Sequence, residues 1–196
     1  MSKVRAQIES SLNESIDLVS SLLSNKSYLS SIEALSSSII TTFQKGGSVF
    51  IAGNGGSAAE AQHFTGELVS RFMTDRQPLP AVSLAADIAS MTAISNDYGF
   101  EHVFSRQLKG LARKDDLFIG ISTSGRSENI LNSFRVCSEV GITSAGLCGL
   151  AGFSSLMPDI LLSAPSHSTP RIQEIHTITT HLACQIVEDQ ILNNNA

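Results

Sequence analysis

The chain has 196 residues, of which 42% are hydrophobic and 16% charged, a composition that suits one packed domain and excludes long disordered stretches. Its formal charge is −5 and its thirteen basic residues are scattered, so the broad positive face that draws nucleic acids is missing and no nucleic-acid partner is expected. Three cysteines without CxxC spacing argue against a disulfide framework or a thiolate zinc site, and the lack of a signal-like start or a run of about 18 apolar residues predicts a cytoplasmic protein with no membrane partner.

Val4, Ile8, Leu12, Ile16, Val19 and Leu23 recur at three- and four-residue steps, which predicts a helix over 4–23 with one buried stripe. A second helix is expected over 30–44, opened by Ser30 with Glu33 three residues later. From residue 46 the pattern changes to short apolar runs, each ended by small residues and followed by a helical segment. The runs at 48–53, 81–86, 117–122, 143–149 and 159–164 have the character of strands buried on both faces. Helices are expected near 57–72, 87–95, 101–112 and 127–140. A last helix should run from about Pro170 to Leu192 with Thr169 as N-cap, leaving the tail 193–196 to fray. Such alternation implies an α/β fold, a parallel sheet with right-handed crossovers and helices on both sides.

Ligands of open parallel sheets gather beyond the carboxyl ends of the strands, which directs attention to two turns. In the first, "FIAGNGGSAAEAQHF", Gly53, Gly55 and Gly56 permit tight backbone turns and Ser57 with Glu60 forms a capping box. Close strand-to-helix packing alone would also call for these glycines. In the second, "LFIGISTSGRSENILNSF", Ser122, Thr123, Ser124 and Ser127 offer hydroxyls around Gly125, and the following helix offers its unpaired amides. A phosphate monoester fits such a turn without a P-loop lysine, although the same residues could simply cap the helix. Neither turn has the GxGxxG or GxxxxGK[ST] pattern, which disfavours dinucleotides and triphosphates.

His63 and Glu67, at i and i+4, share a helix face and could converge on an ion or form a modest surface link. Gln173, Glu174, His176 and His181 form a second polar group on the last helix. Gln173 and His181 are separated by roughly 12 Å along the axis, so a shared ion would have to lie between them or a neighbouring subunit complete its shell.

Four segments, "AGNGGSAAEAQHFTGELVSRF", "AISNDYGFEHVFSRQL", "GISTSGRSENIL" and "TPRIQEIHTITTHL", together resemble the phosphoheptose isomerase family of sugar-isomerase (SIS) domain proteins, in order from about residue 48 to 188. The resemblance implies a single SIS domain over 1–196, a flavodoxin-like three-layer sandwich with a five-stranded parallel sheet. It also implies a homotetramer in which the helices of 1–45 serve oligomer packing and the sites lie at subunit interfaces. The implied reaction converts sedoheptulose 7-phosphate to D-glycero-D-manno-heptose 7-phosphate, the first step toward heptose in bacterial surface glycans. By matching position, one zinc ion per subunit would be held by His63, Glu67, Gln173 and His181. Substrate would meet Asn54, Gly55, Gly56, Ser57, Glu67, Arg71, Asn96, Asp97, Ser122, Thr123, Ser124, Ser127 and Gln173. Glu67 would be the base that moves the proton through an enediol, with His181 as its acid–base partner. Arg126 and Pro170 depart from the family's residues at those positions, and His102 and His167 are expected on the surface. The runner-up readings are a non-catalytic SIS protein that binds the replication initiator, and a sugar-phosphate sensor.

Overall fold

The structure is a computed structural model that describes residues 2–193. Two helices, α1 (Lys3–Leu22) and α2 (Lys26–Gln44), precede an alternating core: β1 (Val49–Gly53), α3 (Gly56–Val69), β2 (Ala81–Ser83), α4 (Ile88–Tyr98), α5 (Val103–Leu111), β3 (Leu117–Ser122), α6 (Glu128–Val140), β4 (Thr143–Cys148), β5 (Ile160–Ser163) and α7 (Thr169–Asn193). A short 3-10 turn, Phe100–His102, leads into α5. Residues 194–196 of the tail expected to fray lie outside the described residues.

All five strands are parallel, in the order β2-β1-β3-β4-β5. Strand periodicity sends alternate side chains to opposite faces. Val49 and Ile51 of β1 and Leu117, Ile119 and Ile121 of β3 join a core with α2, α3 and α7 that includes Leu35, Ile39, Phe64 and Val187. Phe50, Ala52 and Phe118 point the other way, into a core with α5 and α6 built on Phe104, Ile130 and Phe134. The result is the expected three-layer α/β sandwich. After β1 the chain goes to β2 on one side and then returns to β3 on the other, so a crevice opens beyond the ends of β1 and β3.

Several expected ends move for local reasons. Helix α2 starts at Lys26 because the Asn25 side chain accepts from Tyr28 N at 3.1 Å, which overrides the Ser30 and Glu33 signal four residues later. In α7, Ile172 N donates to Ser168 O at 2.9 Å, placing Ser168 rather than Thr169 at the helix mouth.

The largest correction concerns α1. Its predicted inward stripe is the exposed face of the chain: Val4 is 67% exposed, Leu12 59%, Ile16 60% and Leu23 81%. What holds α1 to the body is its other side. Leu18 and Leu22 pack on the core, Ser15 Oγ donates to Glu174 Oε2 at 2.9 Å, and Arg171 Nη1 donates to Ser11 O at 2.8 Å.

Candidate active site

The turn after β1 needs a glycine at Gly55, where φ is +57° and ψ is −120°. The expected Ser57 and Glu60 box does not form: Gly55 stands at the cap position of α3 without a side-chain bond. Glu60 instead reaches across to α7, accepting from Thr177 Oγ1 at 2.8 Å and Thr180 Oγ1 at 2.6 Å. That bridge, with Phe64 and Leu68 of α3 buried near Ile175 and Val187 of α7, sets the phase of the two helices. His63 stands one turn beyond Glu60 on α3, and His181 directly follows Thr180 on α7. His63 Nε2 lies 2.8 Å from His181 Nε2, and His63 Nδ1 lies 3.7 Å from Glu67 Oε1. One ligand atom from each of His63, Glu67 and His181 falls within 4.8 Å of the others, a group able to hold a metal ion.

Gln173 shares a cleft with one of the three, His63. Its amide lies over Gly56, where any Cβ would collide with it, and it lines a cleft of about 300 Å³ with Ser57, His63 and His176. The donor set fits a divalent cation: two imidazoles, a carboxylate and a neighbouring amide oxygen match the N/O ligation that zinc accepts.

The turn after β3 is held from three sides. Ser122, 3% exposed, and Ser127 share a hydroxyl bond of 2.9 Å. Ser127 is the N-cap residue of α6, yet its side chain makes no capping bond, so the first turn keeps its outward amides for another acceptor. Thr123 O accepts from Gly149 N at 3.1 Å, and Ser124 Oγ accepts from Arg126 N at 3.2 Å. The two turns are then joined by reciprocal amide bonds, Asn54 Nδ2 to Asn129 Oδ1 and Asn129 Nδ2 to Asn54 Oδ1, both 2.9 Å. Asn54, Asn129 and Ser127, with Phe100 and Glu101, line a cavity of about 600 Å³.

Other expected residues lie on the surface. Arg71 is exposed just beyond α3, and Asn96 and Asp97 are exposed on α4, bonded to each other at 2.8 Å. Arg126, His102 and His167 are exposed, and Pro170 lies in the first turn of α7.

Two residues that sequence reasoning left without a role stand close to the site. His176, 1% exposed, lines the Gln173 cleft with Nε2 3.1 Å from Cys148 O, while its Nδ1 has no partner among the described residues. Burial lowers its pKa, so the imidazole is neutral at pH 7. Its position three residues after Gln173 was the available signal. Glu188 is the other, and nothing in local sequence marks it.

A model of the SIS domain matches residues 5–149. Phosphoheptose isomerase from Aneurinibacillus thermoaerophilus is 45% identical over 188 residues, 95% of each chain. The chain belongs to the phosphoheptose isomerase family. As a member it is an enzyme of the isomerase class. Solved phosphoheptose isomerases share the fold along nearly the whole chain. The one from Francisella tularensis superposes with a TM-score of 0.88 at 33% identity, covering 96% of this chain and 100% of its own. The one from Neisseria gonorrhoeae gives 0.86 at 33% identity, with 95% and 100% covered.

Proposed function

We propose that the protein converts sedoheptulose 7-phosphate to D-glycero-D-manno-heptose 7-phosphate, at the entry to bacterial surface-glycan heptose synthesis in the cytoplasm. The observation that carries this reading is the convergence of His63, Glu67 and His181, in a fold whose turns after β1 and β3 are joined by the Asn54 and Asn129 amides. The family's names point to the same substrate class.

In this reading the phosphate sits on Ser122, Thr123, Ser124 and Ser127, against the free first turn of α6. Hydroxyl and amide donors there suit a dianion, and the mouth of the helix adds a favourable dipole. Asn54, Gly55, Gly56 and Ser57 face the sugar from the other turn, with Arg71, Asn96 and Asp97 reaching in from the rim. Glu67 takes the proton from C1 of the ketose and returns it at C2. His181 passes a proton between the oxygens of the two carbons, so charge does not build up on either. When bound, a divalent cation such as zinc, held by His63, Glu67 and His181 with Gln173 beside them, polarises the sugar carbonyl as a Lewis acid.

The same reading makes the protein a homotetramer. The exposed apolar stripe of α1 supports it, because contiguous exposed apolar surface of this kind marks an interface.

Incubation of the purified protein with sedoheptulose 7-phosphate, before and after chelation, tests the proposal. Aldoheptose phosphate should form, chelation should suppress it, and zinc should restore it. Glu67→Gln should abolish turnover while the fold and phosphate binding persist. Undiminished turnover in Glu67→Gln would remove that residue from the mechanism, and no product from the metal-replete wild type would end the substrate assignment.

A further inference from the structure

Just past α3 a buried ion pair ties together the parts of the chain that carry the acid–base residues. The Arg76 and Glu188 side chains are each 3% exposed, with Nε 3.1 Å from Oε1. The Glu188 carboxylate also accepts three backbone amides from the segment after α3: Phe72 N at 3.1 Å, Met73 N at 2.8 Å and Thr74 N at 3.0 Å. Burial opposes ionisation here, but the three amides and the guanidinium outweigh it and hold the carboxyl below its usual range.

The rest of the guanidinium turns back to α3. Nη2 donates to Glu67 O at 2.8 Å and Nη1 to Leu68 O at 2.9 Å, so Arg76 satisfies two of the carbonyls in the last turn of the helix. Glu67 therefore sits on a turn whose backbone is clamped. On the other side, the Phe72 ring, whose own amide is bound to Glu188, lies 5.7 Å from the His181 ring centroid to centroid. Glu188 is on α7, seven residues after His181 and hence two turns along the same side.

We propose that the Arg76–Glu188 pair is a positioning device for the site: it fixes the α3 turn that carries Glu67 against α7 and seats the Phe72 ring on His181. The inference rests on the isomerase reading for its choice of those two side chains. Stability alone is a poor account of the pair, since buried ion pairs are often matched by apolar replacements. A planar guanidinium with fixed donor directions supplies something hydrocarbon does not, namely orientation.

The test uses the full chain at a temperature well below each variant's unfolding transition. Arg76→Lys keeps the charge and loses the fork, and Phe72→Leu keeps the loop amides and loses the ring. Asp116→Asn is the control: this buried carboxylate accepts Ser48 N and Arg113 N at the opposite end of the sheet. Misplacement of reacting groups by an ångström costs on the order of 100-fold, so kcat of both site variants should fall by about 10- to 100-fold with KM near the wild-type value. In metal-free protein, the His181 ring resonances should move in both variants. Asp116→Asn should melt earlier yet retain kcat and the His181 resonances.

If Arg76→Lys melts earlier but keeps kcat and the His181 resonances, the pair is only structural and the proposal fails. Should Arg76→Lys not fold, Phe72→Leu decides, and an unmoved His181 resonance overturns the seating. An inactive wild type would sink the isomerase reading instead, while the resonance arm would still judge the positioning.

Discussion

Gly125 is the residue on which the serine turn is anchored, and Gly125→Ala separates steric from conformational cost. Its φ is +64°, and an added Cβ would overlap the Gly152 carbonyl oxygen while standing 2.7 Å from the Gly152 carbon and 3.0 Å from Phe153 Cα. These are backbone atoms, further held by the 3.1 Å bond from Ser154 N to Gly125 O. They cannot swing aside as a side chain would. Restoring ordinary contacts of 3.5–4.0 Å to the two carbons alone requires the segments to part by about 1 Å, and relieving the oxygen overlap requires more. The left-handed backbone costs an alanine about 1–2 kcal/mol and the overpacking about 1–3 kcal/mol, so a loss of about 2–5 kcal/mol is expected. A displacement of that size in the turn proposed to grip phosphate should also raise KM by about 100-fold. Gly55→Ala is the companion: nothing among the described residues lies within 4 Å, but φ of +57° with ψ of −120° is a conformation L-residues rarely adopt, leaving a purely conformational cost of about 1–3 kcal/mol. Urea unfolding of both variants, with initial rates across a range of substrate concentration, reads both effects. Equal stability losses would refute the steric reasoning, and a wild-type KM in Gly125→Ala would take the serine turn out of phosphate binding.

Charging the exposed stripe of α1 by Leu12→Glu with Ile16→Glu should dissociate the proposed tetramer in sedimentation measurements while the helix content of the chain persists; an unchanged assembly would place the interface elsewhere. Burial pushes the Cys137 and Cys184 thiols up to about 12 and Cys148 up to about 11, from 9.0. The native chain thus keeps protons that the unfolded chain releases, so stability is full below pH 9 and falls as pH rises toward 12, by roughly 1 kcal/mol per thiol at pH 10. Equal urea midpoints at pH 8 and pH 10 would contradict this. Tyr28→Phe removes the buried 2.8 Å bond to Thr179, but Thr179 Oγ1 keeps its bond to Ile175 O, so a loss of only about 1 kcal/mol is expected in the same unfolding assay. A loss several times larger would mean that Tyr28 holds α2 to α7 by more than this bond.

The sheet and its helices were legible because strand runs such as 117–122 are apolar on both faces and each is followed by a helical period. The helix starts were less so, since Ser30 with Glu33 and Ser57 with Glu60 each satisfy a local capping rule that something else overrides: an earlier local cap at Asn25 in the first case, tertiary partners in the second. Glu60 is taken by two threonines more than a hundred residues away. Periodicity marked the apolar face of α1 correctly and its environment wrongly, because a pattern reports which face is apolar, not whether the rest of the chain covers it. Of the candidate site, His63, Glu67 and His181 do come together, three of the four residues that the resemblance implies as one ligand group with Gln173. Arg76 and Glu188 were invisible for the opposite reason: an arginine in a loop and a glutamate on a long helix are ordinary until the fold buries them against each other.

The paired amides of Asn54 and Asn129 make one caliper out of the loop after β1 and the first turn of α6. Under the proposed chemistry one jaw grips the phosphate and the other stands by the reacting carbons, so the enzyme measures its substrate by the number of carbons between them. A pentulose 5-phosphate is two carbons too short to reach from jaw to jaw. Discrimination then comes from span rather than from recognising each hydroxyl.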